Sequence, residues 1–145
     1  MLPRPHRPGG PRILVGGNGR TRTPGFVARY ADEWNAIFLT PGKFRELNMN
    51  LDHLLKKENR APQSVRRSMM TGCIFAATDS ALQQKLASRG RTLEQLHEQG
   101  IVAGTAVAVK EQLHQLESNG LQRIMLQWLD LDDLAGLEAL AKAVL

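Results

Sequence analysis

The sequence predicts an α/β protein in which strand–helix units repeat four times around a parallel sheet. Three observations carry that prediction. Short apolar runs ending in Gly or followed by a helix start recur at 13–17, 34–39, within 64–78 and at 121–129. Between them lie stretches whose apolar residues fall at helical spacing. The 145 residues, 42% hydrophobic and 23% charged, suffice for one domain with a sizeable core.

Residues 1–12 hold four of the seven prolines and read as an extended, non-helical lead-in. "RILVGG" is a buried strand closing on glycine, and a helix follows from about Thr23, with Pro24 in its first turn and Phe26, Val27 and Tyr30 as its apolar contacts. "WNAIFL" is the second strand. Thr40 then caps a helix entered through Pro41 and running to about Asn59, with Phe44, Leu47, Leu51, Leu54 and Leu55 on one face. "SVRRSMMTGCIFAAT" contains a third strand of about nine residues. Asp79 and Ser80 open a short helix that Gly90 closes, and Thr92 with Gln95 forms the capping box of another, closed at Gly100. "IVAGT" leads to a helix capped by Thr105 and ended at Asn119-Gly120; "LQRIMLQWL" is the fourth strand, and Leu134, Leu137, Leu140, Ala141 and Val144 mark the last helix.

Repeated βα units call for parallel strands joined by crossovers, which leaves two architectures: an open doubly wound sheet, or a piece of a (β/α)₈ barrel. A whole barrel needs about 250 residues, and this chain has room for half of one.

Charge and composition narrow the function. The net charge is +5, yet Arg4, Arg7, Arg12, Arg20 and Arg22 stand without an acid in the first 22 residues, leaving 14 basic against 14 acidic residues in the remainder. The basic signal belongs to the arm and the first turn, not to a stripe along a folded face, and no nucleic-acid motif accompanies it. Cys73 is alone, so no internal disulfide forms, and its run "MMTGCIFAA" reads as core. His6, His53, His97 and His114 lack metal-ligand spacing, so no metal site is expected. Without a signal peptide or a run of about 18 apolar residues, the expectation is a soluble cytoplasmic protein.

The candidate site is the glycine turn "VGGNGRTR" after the first strand. A third glycine of a dinucleotide fingerprint would fall at position 22, where Arg22 stands, and no Walker lysine follows. What remains is general. Successive glycines let backbone N–H groups converge at a helix N-terminus beside Arg20 and Arg22, which suits a phosphate as well as it suits a plain tight turn. Trp34, Met69 and Met70 read as core, whereas Trp128, near the end of the last strand, is placed to border a pocket.

"PRILVGGNGRTRTPGFVARYADEWN" resembles the segment of luciferase-like flavin or deazaflavin oxidoreductases in which a strand ending in Gly-Gly leads to a helix and an A-R-Y-A-D-x-W-N stretch. "GIVAGT" and "GLQRIMLQWLDLDDLAGLEALA" resemble the end of the same family, so that the likeness runs from about residue 8 to 145 in order and spacing. It implies the C-terminal half only of a (β/α)₈ TIM barrel, its last four parallel βα units, with 1–12 as lead-in, 13–145 as the half-barrel and a helical insertion at about 78–104 that could serve as a lid.

The resemblance implies FMN or a deazaflavin as cofactor. Gly16, Gly17, Asn18 and Gly19 match the turn that approaches the cofactor phosphate, with Arg20 as charge partner. Thr105 matches a threonine that starts the helix before the last strand, a position that a simple N-cap also explains. No acid or base is nominated and the substrate is open.

Half a barrel leaves an apolar inner face and two unpaired sheet edges. The expectation is therefore self-association into a homodimer, or a separate chain supplying the missing N-terminal half. The activity implied is hydride transfer or monooxygenation in the completed barrel. The alternative is a non-catalytic module of the same fold that binds a phosphate-bearing ligand or a partner.

Overall fold

The computed structural model describes residues 6–145; the first five residues of the lead-in lie outside the described residues. Residues 7–10 are not extended. They turn tightly, with Gly9 and Gly10 at φ +82 and +84 and the Gly10 N–H donating to Arg7 O at 3.0 Å.

The strands are β1 (Leu14–Gly16), β2 (Glu33–Ile37), β3 (Arg66–Phe75), β4 (Val102–Gly104) and β5 (Arg123–Gln127). The helices are α1 (Arg22–Tyr30), α2 (Pro41–Lys57), α3 (Asp79–Ser88), α4 (Leu93–Glu98), α5 (Ala106–Ser118) and α6 (Leu134–Val144). All strand pairs are parallel. None of the described helices is long and apolar enough to cross a membrane.

The sheet has five strands where the sequence suggested four. β3, with ten residues, pairs three times: Arg66–Met70 with β2, Ser68–Gly72 with β5, and Cys73–Phe75 with β4. β4 escaped notice because its three residues are too few to show a period. It lies on the β2 side of β3, since a Cβ on Gly100 would come within 2.6–2.7 Å of the Phe38 and Leu39 backbone; Gly100 also needs φ +72. Only glycine fits there.

Two caps differ from expectation. Thr78, not Asp79, caps α3 by accepting from Ala81 N at 3.3 Å. Thr105 stands at the N-cap of α5 but its side chain makes no capping bond. The caps at Thr40 and Thr92 form as read, the latter with its reciprocal Gln95 bond.

Helices α1, α2, α5 and α6 cover one face of the sheet. Phe44, Leu51 and Leu55 of α2 are fully buried there, each stabilising by about 2 kcal/mol, and the Phe44 ring stacks on Trp34 at 5.5 Å. Arg67 also points this way, toward Asp52, Asn48 Oδ1 and the carbonyls of Pro62 and Val65. Burial lowers its pKa and Asp52 opposes that shift.

Because side chains alternate, Arg66, Ser68, Met70, Gly72 and Ile74 face the opposite, hollow side. The register aligns Leu14, Glu33 and Arg66 in one row, Gly16, Asn35, Ser68 and Arg123 in the next, and Ile37, Met70 and Met125 above them. This inner face is not apolar throughout. Its lowest rows carry a Glu33–Arg123 ion pair at 3.2 Å, an Asn35–Ser68 hydrogen bond at 3.0 Å, and Arg66.

The upper end of the hollow is covered by the chain itself. Ile74 and Ala103, paired neighbours on that side, pack with Leu82 and Leu86 of α3 and Leu96 of α4 in a small second core. The lower rows stay open, and both outer edges lack a partner strand among the described residues. Beside one edge Ile13, Leu14, Phe26 and Tyr30 are exposed; beside the other, Met125, Leu129, Leu131, Leu134 and Leu137 are.

Candidate functional site

The turn after β1 is built by the residues around it. The Gly17 N–H donates to Asn35 O at 2.9 Å, and Gly17 O accepts from the Trp34 indole at 2.9 Å. Gly17 sits at φ +119, where a side chain is strained, and a Cβ on Gly19 would lie 2.6 Å from Thr23 Oγ1. The chain's own packing thus requires both glycines.

The Asn18 side chain turns back onto β2. Its Nδ2 donates to Ile37 O at 2.6 Å and its Oδ1 accepts from Ile37 N at 3.0 Å. The amide therefore extends the ladder of β2 beyond the point where β1 ends. Gln112 does the same for β4, accepting from Ala103 N at 3.1 Å and donating to Ala103 O at 2.8 Å.

What the turn offers outward is backbone and charge. Among the described residues none accepts a hydrogen bond from the N–H of Asn18, Gly19 or Arg20. α1 begins at Arg22 with no acidic residue in its first turn and no side-chain cap from Thr21. Arg20 is highly exposed, and among the described residues its one carboxylate contact is Glu46 at 3.8 Å, a distance worth little in solvent. Partial positive charge on the helix end and a full charge beside it favour an anion.

Thr105 is not brought to this turn. Asn18 bonds at the level of Ile37, which pairs with Met70, whereas Gly104 pairs with Phe75, five residues farther along β3. Five residues of strand amount to about 16 Å at ~3.3 Å per residue, farther than one phosphate spans. Gly16 through Arg20 lie together in one turn, and Thr105 stands apart from it, after β4 at the N-cap of α5.

Two residues missed by the sequence reading belong to the region. Thr23, read only as a helix start, places its hydroxyl against both Gly17 and Gly19. Phe38, read as strand, leaves β2 at φ +50, a conformation a large side chain rarely takes, and its Cε1 would lie 3.6 Å from a Cβ on Gly72. Its ring therefore overhangs the hollow where Gly72 leaves the backbone bare. No periodicity encodes a single left-handed residue, and neither position carries a sequence signal.

Trp34 and Met69 are core, as expected, while Met70 lines the hollow. The Trp128 indole donates to Asp130 O at 2.9 Å, and Lys85 Nζ lies 5.1 Å over its ring. Lys85 of α3 also bonds Asp130 at 3.0 Å and Asp133 at 2.8 Å, and Arg89 reaches Asp130, so α3 is clamped to the segment after β5. Burial pulls the Lys85 pKa down, but the Asp133 and Asp130 hydrogen bonds outweigh it and the net shift is upward. Asp133 is depressed by the Lys85 bond and by the Gly136 N–H. The Cys73 thiol is pushed up to about 11, chiefly by burial.

No family model matches the sequence, and no curated protein does. Solved structures do. Over 99% of this chain and 50% of the other, the monooxygenase RslO1 from Streptomyces bottropensis is similar at 18% identity with a TM-score of 0.75. The coenzyme F420-dependent tetrahydromethanopterin reductase from Methanopyrus kandleri is similar over 92% of this chain and 50% of its own, at 13% identity and a TM-score of 0.72. The long-chain alkane monooxygenase LadA aligns over 92% and 40%, at 15% identity and 0.73.

The chain thus spans half or less of the length of these three structures, and its fold is half of a (β/α)₈ barrel. The resemblance to luciferase-like proteins drawn from the sequence holds at the level of the fold.

Proposed function

We propose that this chain is the C-terminal half of a flavin- or deazaflavin-dependent oxidoreductase barrel, carrying out hydride transfer or monooxygenation once a second half-barrel closes its hollow. The observation that carries the reading is the turn at 16–20. It ends a strand at the face where barrels of this kind place their sites, and it presents unpaired N–H groups, the Thr23 hydroxyl and Arg20 together.

A phosphate-bearing flavin or deazaflavin, when bound, supplies the redox chemistry. The residues of this half bind and enclose. Backbone N–H groups of 18–20 and Arg20 receive the phosphate, with Thr23 as a further donor. Ile37, Met70, Met125 and the Phe38 ring give the hollow an apolar wall above its charged floor. The insertion at 78–104 roofs the upper end and keeps water out, the role of a lid.

Thr105 meets a part of the ligand other than its phosphate. The open edges and the exposed apolar residues beside them support completion by another half-barrel, whether a second copy or a separate first half. A second reading, a module that binds such a ligand without turnover, draws on the acid–base groups of this half: Lys85, Asp133 and Arg67 are all committed to structural bonds.

The test is a backbone amide NMR titration of this chain with FMN and, in parallel, with riboflavin, which lacks the phosphate. The expected outcome is shifts centred on Asn18, Gly19, Arg20 and Thr23 with FMN alone, weakened about tenfold by Arg20→Ala, the order of one charged hydrogen bond. Identical shifts with riboflavin, or shifts elsewhere only, overturn the assignment. Turnover by the completed barrel separates the enzyme from the module.

A further inference from the structure

The floor of the hollow carries more positive charge than the chain neutralises, and this has a consequence for what can close it. The inference rests on the reading that a second half-barrel completes the fold. An open cleft of about 650 Å³ at the N-terminal ends of the strands is lined by Arg7, Arg12, Arg66 and Arg123, with Asp32 among them. Glu33 stands in the same inward row as Arg66 and is paired with Arg123 across β3. Asp32 is engaged by the Ile13 N–H at 2.8 Å. Among the described residues no carboxylate forms an ion pair with Arg7, Arg12 or Arg66.

Four guanidiniums against two carboxylates are tolerable while water fills the cleft. Closing a barrel over them removes that water, and a charge left buried without a counterion is strongly destabilising. Arg66 suffers most, since it projects from β3 into the interior. A second copy of this chain would double the surplus instead of relieving it.

We infer that the completing half-barrel presents carboxylates at the N-terminal ends of its strands, so that this chain closes against an acidic half rather than against a copy of itself. Complementary charge would then set both the choice of partner and the rate of encounter.

The probe is this same chain with the floor reversed by Arg12→Glu and Arg66→Glu, an acidic half-barrel of matched shape. Its floor has two cations against four anions, so a one-to-one mixture with the unaltered chain is balanced. Sedimentation velocity at low salt is expected to show the mixture associating at least tenfold more tightly than either protein alone, with the advantage shrinking at 0.3 M salt as screening shortens to a few ångströms. Circular dichroism confirms that the reversed chain is folded. Should it fail to fold, Arg12→Ser with Arg66→Ser serves, and neutralising the floor is then expected to raise self-association.

If the unaltered chain dimerises as tightly as the mixture, a copy is accepted despite its charge and the inference falls while closure stands. If neither the mixture nor the separate proteins associate up to about 100 µM, closure itself falls, and the inference with it.

Discussion

Replacing Asn18 by Ala separates a structural role from a ligand-binding one. The side chain makes two hydrogen bonds to the backbone of Ile37, at 2.6 and 3.0 Å, in partly buried surroundings. Truncation leaves the Ile37 N–H and C=O without partners at the free upper end of β2. Each such loss costs about 1 kcal/mol when water can partly reach the orphaned group, about 2 kcal/mol together.

For a chain of this size that corresponds to a fall in Tm of roughly 6 °C in the ligand-free protein. The assay is thermal unfolding followed by circular dichroism, with urea unfolding as a check. Asn18→Asp sharpens it. The introduced carboxylate can still accept from the Ile37 N–H but faces the Ile37 carbonyl oxygen without a donor, so it is expected to be at least as damaging at pH 7. Part of the loss should return near pH 4, when protonation restores an O–H. An Ala variant that melts within about 1 °C of the unaltered chain yet loses affinity for FMN would refute the argument, because the amide would then serve the ligand and not the ladder.

Lys85→Met is expected to release α3 from Asp130 and Asp133, read as faster limited proteolysis within 79–98. The stability gap between this variant and the unaltered chain has a pH window. The folded Asp133 lies below its ordinary 3.8 and the folded Lys85 above its ordinary 10.5. The clamp is therefore fully present between those values, lost as pH falls below the first and as it rises above the second. Arg67→Met removes the buried partner of Asp52 and three other hydrogen bonds; since Asp52 itself is 38% exposed, the expected cost is about 2–3 kcal/mol in urea unfolding, below the range for a fully buried pair. Cys73, with its thiol pushed up to about 11, should resist alkylation at pH 8 in the folded chain and react at once in urea; rapid labelling without denaturant would contradict its burial.

Much of the architecture was legible because it rests on patterns many residues long. The apolar stripe of α2, the capping box at Thr92 and Gln95, and the glycine stops at Gly90, Gly100 and Gly120 each repeat a local rule that the tertiary structure leaves intact. β4 was not legible, since three residues show no alternation and its place is set by Gly100 packing on the end of β2. The turn after β1 was legible in the sequence, and the conformations of its residues were not. The turn lies where the glycines placed it, but a sequence does not say that Asn18 turns back onto Ile37, or that Phe38 takes a left-handed backbone. The charged floor was hidden too. Arg66, Glu33 and Arg123 come from three strands far apart in sequence, and only the register puts them in neighbouring rows.

β3 carries the staves of the barrel at its foot and the first strand of the roof at its head. The roof is therefore riveted to the wall: the Cys73–Phe75 ladder, the Thr71 hydroxyl on Gly100 O at 2.6 Å and the α3 clamp hold it at three points. A flap on a flexible hinge could swing aside to admit a guest; this one would have to tear its own beam. In a barrel completed as proposed, a guest would enter through the wall that this polypeptide does not build, and whichever half supplied that wall would also keep the gate.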